Sequence, residues 1–146
     1  MSTALSYDTT LTVRDTCLCL HLQRAARAMA RRFDEALRPL GLTNGQFSLL
    51  MSLNRPQPPT IGAVAALLAM DRTTLTAALK PLLRRGVVTV RVDPADKRSR
   101  RMILTPAGQA LLANALPLWR REHTAIDRRF IAADEDRLRA DLRALA

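Results

Sequence analysis

Aromatic side chains are scarce in this 146-residue chain: one tryptophan, one tyrosine and three phenylalanines, 3% of the sequence. That shortage argues against recognition of single-stranded nucleic acid by rings stacked on bases. Long apolar runs are missing too, none approaching the roughly 20 residues needed to cross a bilayer. The N-terminus has no basic segment leading into a continuous apolar core, so no leader and no membrane partner are expected, and the cytoplasm is the expected compartment. With only two cysteines, Cys17 and Cys19, there is no disulfide framework and no CxxC knuckle for zinc. No nucleophile-base pair, phosphate loop or metal cluster stands out, so an enzyme, a cofactor and a metal are all unexpected. Internal repeats and low-complexity tracts are absent as well.

Acidic residues are also in short supply, 13 against 23 lysines and arginines, for a formal net charge of +10. Such an excess predicts attraction to a polyanion, most commonly the phosphate backbone, with a membrane surface as the competitor. The length suits one domain with a normal core, and 48% hydrophobic with 25% charged residues describes a soluble globular chain.

The positive charge is concentrated between Asp71 and Arg101, where nine basic residues face three acidic ones, +6 of the +10. Asp71 is placed to cap a helix and Gly86 to end it. Between them Leu75, Ala78, Leu79, Leu82 and Leu83 form an apolar stripe at helical spacing, with Arg72, Thr73, Thr76, Lys80 and Arg84 largely outside it. The period then becomes alternating: Val88, Val90 and Val92 point one way, Thr89 and Arg91 the other. Asp93-Pro94 turns the chain, Lys97, Arg98, Arg100 and Arg101 crowd the tip, and Met102-Ile103-Leu104 returns as a partner strand. A capped helix followed by a basic hairpin is the order of a helix-turn-helix with a wing.

Residues 1–14 show little periodicity and are expected to be a mobile arm, able to acquire structure in an oligomer. From Asp15 to about Arg38 helical spacing places Leu18, Leu22, Ala25, Ala26, Met29, Phe33, Ala36 and Leu37 on one face, with an Arg31–Glu35 pair one turn apart. Pro39 and Gly41 stop this helix. Thr43 and Gln46 have capping-box spacing for a helix that buries Phe47, Leu50, Met51 and Leu53. Three prolines in residues 56–59 make a connector, Thr60-Ile61 an isolated strand segment, and residues 62–68 a short helix burying Val64, Ala65, Leu67 and Leu68. Thr105-Pro106 starts a helix running towards Phe130, which Pro117 should bend. Asp134 caps a last helix bearing Leu138, Leu142 and Leu145. The first and last helices carry more apolar surface than a monomer of this size covers, so an oligomer is expected.

The wing and its exit, Asp93-Pro94-Ala95-Asp96-Lys97-Arg98 and Leu104-Thr105-Pro106-Ala107-Gly108, resemble those of the MarR family of winged-helix transcriptional regulators. Leu40-Gly41-Leu42-Thr43, Gln46-Phe47 and Asp71-Arg72-Thr73-Thr74-Leu75 support the likeness, which covers roughly residues 15–146. It implies a mainly α (α+β) fold: one domain over 1–146, with dimerisation helices at about 1–38 and 109–146 and a winged-helix DNA-binding lobe at about 43–105. It further implies a homodimer on double-stranded DNA, at an inverted repeat with half-sites roughly 10 bp apart. The Arg72–Arg85 helix would enter the major groove, where Arg72 or Lys80 donates to guanine and Thr73, Thr74 and Thr76 meet base edges, thymine methyls or phosphates. Arg98 matches the family's wing arginine, which reaches the adjacent minor groove, with Asp96 orienting it. Lys97, Arg100 and Arg101 fit phosphate contacts. Pro81 within the recognition helix departs from many relatives and bears on the role given to Lys80.

Members of this family commonly release DNA when a small ligand binds between the dimerisation helices and the winged helix. His21, Arg24, Met51, Trp119 and His123 are candidates to line such a cleft for a small-molecule effector. Cys17 and Cys19 near a helix start invite a redox reading, although two positions apart on a helix they face different directions. The resulting expectation is a sequence-specific repressor relieved by a small molecule or by thiol oxidation. The alternative is a non-specific architectural DNA-binding protein.

Overall fold

The computed structural model describes residues 4–130 and 134–146. Its elements run α1 (Tyr7–Thr16), α2 (Leu18–Leu37), a 3-10 turn (Arg38–Leu40), α3 (Asn44–Ser52), α4 (Ile61–Leu67), α5 (Arg72–Arg84), β1 (Val88–Asp93), β2 (Asp96–Leu104), α6 (Pro106–Asp127) and α7 (Glu135–Leu145). The first three residues of the expected arm lie outside the described residues. The rest of the arm is not irregular: Ser6 caps a helix whose ten residues include none that is buried. Periodicity missed α1 because it has almost no apolar stripe to detect. The long first helix correspondingly starts at Leu18, with Cys17 in extended conformation separating it from α1.

Helix ends follow the expected capping chemistry. Thr43 accepts from the Gln46 N–H while Gln46 accepts from the Thr43 N–H at 3.0 Å, a complete capping box. Asp34 on α2 reaches the same place, accepting from the Asn44 backbone N–H at 2.7 Å and its amide at 2.8 Å. Thr60, Asp71, Thr105 and Asp134 cap α4, α5, α6 and α7. Some side chains pair differently from expectation. Glu35 bonds Arg38 rather than Arg31, and Arg32 crosses to Glu122 on α6 at 2.5 Å. The penultimate helix ends at Asp127, short of Phe130, which is exposed.

The core lies where α3, α4, α5 and the hairpin close against the C-terminal end of α2 and the first turns of α6. Its fully buried members include Leu37, Leu49, Leu50, Val64, Leu75, Leu82, Val88 and Met102. Leu67, expected inside, is 61% exposed, since the helix is only two turns long and its buried side is filled by Val64 and Ala65. In contrast α2 contributes one buried residue, Leu37, over twenty positions, and α7 none. Leu18, Leu138, Leu142 and Leu145 stand exposed on these helices.

Helices α4 and α5 meet at 106°, within the range of a helix-turn-helix. The turn is a Schellman motif: Met70 N–H donates to Ala65 and Ala69 N–H to Ala66. Ala69 takes the left-handed position at φ 53°, where glycine is usual. The hairpin pairs Val88 with Leu104 through Val92 with Arg100, and a bulge follows at Val92/Asp93. The alternation fades towards the tip, where Val92, still paired with Arg100, is half exposed. Thr60 bridges Arg101 as a one-residue third strand, as expected, while Ile61 belongs to α4. Gly108 is required by proximity: a Cβ there would collide with the Val87 carbonyl oxygen, because Thr105 draws α6 onto that loop by bonding the carbonyls of Gly86 and Val87.

Candidate nucleic-acid interface

Leu75, Leu79 and Leu82 bury one side of α5. Away from it stand Thr73, Thr76 and Lys80, and Arg72 flanks the buried side at the first turn; all four are exposed. Asp71 fixes the start of this face. It accepts from the Thr74 N–H at 2.7 Å and the Thr74 hydroxyl at 2.8 Å, which hold its carboxyl below the usual carboxylate range. The Thr74 hydroxyl proton is thereby committed, although the residue is exposed. Arg72 leans over Gly62 at the first turn of α4, where any larger residue would press on the guanidinium. Pro81 does not end the helix, which continues to Arg84, so Lys80 keeps its place in the stripe.

The wing divides its cations between two uses. Lys97, Arg98 and Arg100 are exposed. Arg100 curls back to the carbonyl of Lys97 at 3.0 Å. Asp96 accepts from the Arg98 backbone N–H at 3.0 Å; it fixes the loop that carries Arg98 rather than pairing with the guanidinium. Arg101 points the other way. Its guanidinium bonds the Pro58 carbonyl at 2.5 Å and lies 3.2 Å from Asp93. Asp93 also accepts from the Ala95 N–H, and these two donors hold its carboxyl low against the opposing effect of burial. The sequence reading missed this anchor because Arg101 and Pro58 are 43 residues apart.

The expected cleft residues fall into two places. Met51 and Trp119 line a groove of about 520 Å³ with Phe47, Ser48, Leu67 and Leu116. Trp119 stacks on Phe47 at 6.3 Å and meets the His123 ring at 4.9 Å, while His123 also contacts Asp127 at 3.0 Å. His21 and Arg24 lie instead in a separate depression on α2, with Arg27 and Arg31. Cys17 is half-buried at the α1–α2 break, its sulfur accepting from the Leu20 N–H at 3.5 Å. Cys19 is exposed one turn below Gln23, whose amide it meets at 3.3 Å. Among the described residues no cluster of His, Cys, Asp and Glu could hold a metal ion, and no single helix is long and apolar enough to cross a membrane.

A model described as the MarR family matches residues 42–99. The organic hydroperoxide resistance transcriptional regulator of Bacillus subtilis (strain 168) is 29% identical over 101 residues, 69% of each chain. The M. tuberculosis transcriptional regulator MosR, solved in complex with DNA, superposes with a TM-score of 0.79 at 39% identity, covering 88% of this chain and 92% of that one. The transcriptional repressor CouR, solved bound to p-coumaroyl-CoA, gives a TM-score of 0.77 at 26% identity over 88% and 90% of the two chains.

Proposed function

The chain belongs to the MarR family of winged-helix transcriptional regulators, and on that footing we propose that it is a homodimeric repressor that binds an inverted-repeat operator in double-stranded DNA. The observation that carries the reading is the exposed surface of α5 at Arg72, Thr73, Thr76 and Lys80 in a chain whose wing also exposes Lys97, Arg98 and Arg100. In this reading α5 reads base edges in the major groove and Arg98 enters the neighbouring minor groove. Lys97 and Arg100 neutralise phosphates. Arg101 serves the wing from inside. The open apolar faces of α2 and α7 supply the dimer contact, since a subunit leaves Leu18, Leu138, Leu142 and Leu145 in water.

Release follows binding of a small, largely apolar ligand in the groove beside Trp119; CouR, solved bound to p-coumaroyl-CoA, is a relative that takes an organic ligand. Thiol oxidation is a second route, favoured by Cys17, whose sulfur caps the twenty-residue α2. A hydroperoxide that transfers one oxygen atom to this sulfur and leaves as the alcohol would disturb the cap. Selecting bound duplexes from random DNA tests the main reading. Recovery of one inverted repeat supports it, and recovery of no common sequence favours a non-specific architectural protein.

A further inference from the structure

Arg85 follows the last residue of α5 and does not join the outward stripe. Its guanidinium donates to the Gly41 carbonyl at 3.0 Å and the Leu40 carbonyl at 2.6 Å, across 44 and 45 residues of sequence. Those carbonyls end the 3-10 turn that closes α2, where the chain leaves through Gly41 at φ 63° and helical partners run out. A planar fork with several donors suits two adjacent carbonyls, whereas an ammonium satisfies such a pair poorly. The next residue, Gly86 at φ 75°, turns the chain at once into the buried Val87 and Val88. One end of the DNA-reading helix is therefore fastened to the end of the long helix that faces the second subunit.

We propose that Arg85 is a positioning residue: it fixes the angle of α5 against α2 and so sets the half-site spacing that the dimer accepts. This rests on the dimeric DNA-binding reading above. The lever is long enough to matter. Thirteen residues make a helix about 20 Å long, so a swing of about 10° at the fastened end moves the base-reading end by about 3 Å. That is close to the rise of one base pair, about 3.4 Å.

The test is a set of duplexes carrying the selected half-sites, their separation changed one base pair at a time, with affinity measured by fluorescence anisotropy at several salt concentrations. Wild type should lose affinity about tenfold for each base pair away from its optimum. Arg85→Ala and Arg85→Lys should both flatten that dependence to about twofold, with the slope of log affinity against log salt unchanged. Arg85→Lys keeps charge and stem, so it supplies the same readout if the alanine variant folds poorly. Retained tenfold discrimination in the variants overturns the proposal. So does a slope about 0.9 shallower in Arg85→Ala and restored in Arg85→Lys, which would mark an ordinary phosphate contact. A wild-type protein indifferent to spacing would remove the dimeric reading itself, and the proposal with it.

Discussion

Asp93 and Arg101 face each other across the wing hairpin, with the guanidinium 3.2 Å from a carboxylate that is only 8% exposed. The same arginine holds the Pro58 carbonyl, so strand β2 is tied to both the hairpin turn and the proline connector. Two cations in one basic wing therefore do different work. Arg98→Ala should leave folding intact and make the salt slope of DNA binding about 0.9 shallower. Arg101→Ala should leave the slope nearly unchanged and instead speed hydrogen exchange at the Met102 amide, which bonds the Pro59 carbonyl next to the anchor.

Asp93→Asn separates charge from geometry. It removes one negative charge, so electrostatics alone predicts tighter DNA binding. Loss of the wing anchor predicts weaker binding, roughly tenfold, on the order of one mismatched base pair. Anisotropy titrations at fixed salt should show the loss.

Acid should loosen the same region. The carboxyls of Asp34, Asp71 and Asp93 are all held low, chiefly by backbone N–H groups of Asn44, Thr74 and Ala95. A lowered folded pKa means that the stabilisation is complete above the unfolded value near pH 3.9 and is lost as pH falls through the lowered folded values. Denaturant midpoints should fall between pH 6 and pH 3. Asparagine does not titrate, so that fall should be smaller in Asp93→Asn.

The α4–α5 turn can be stabilised. Ala69 occupies a left-handed conformation that costs a side chain about 1 kcal/mol. Ala69→Gly should recover most of that, seen as a higher denaturant midpoint at constant slope. Gly108→Ala is the opposite case: the added methyl meets a backbone carbonyl, and a loss of about 1–3 kcal/mol is expected.

Trp119 is the only tryptophan and lines the apolar groove, so its fluorescence reports on that site alone. Titration with an aromatic carboxylate such as benzoate should change the emission saturably and weaken operator binding. Leu67→Glu places a like charge at the groove on an exposed position. It should weaken benzoate binding about tenfold and leave DNA binding intact.

Much of the fold was legible because its signals are local. Thr43 with Gln46, Asp71, Thr105-Pro106 and Asp134 each announce a helix start through side-chain chemistry within one turn. The outward stripe of α5 follows from the spacing of Leu75, Leu79 and Leu82. What stayed hidden was non-local or unpatterned. The fastening of Arg85 to Leu40 and Gly41, and of Arg101 to Pro58, depends on chain segments more than 40 residues apart. Helix α1 buries nothing and so prints no stripe in the sequence. Every wing cation looks alike in the sequence, although Arg101 turns inward and Arg98 does not.

Calorimetric titration of the selected inverted repeat and of a scrambled duplex, at one salt concentration, bears most directly on whether two copies of this chain read one DNA site. Two chains per duplex and an affinity for the repeat at least about 10³ times that for the scrambled sequence are expected. One chain per duplex, or equal affinity for the two, would contradict it.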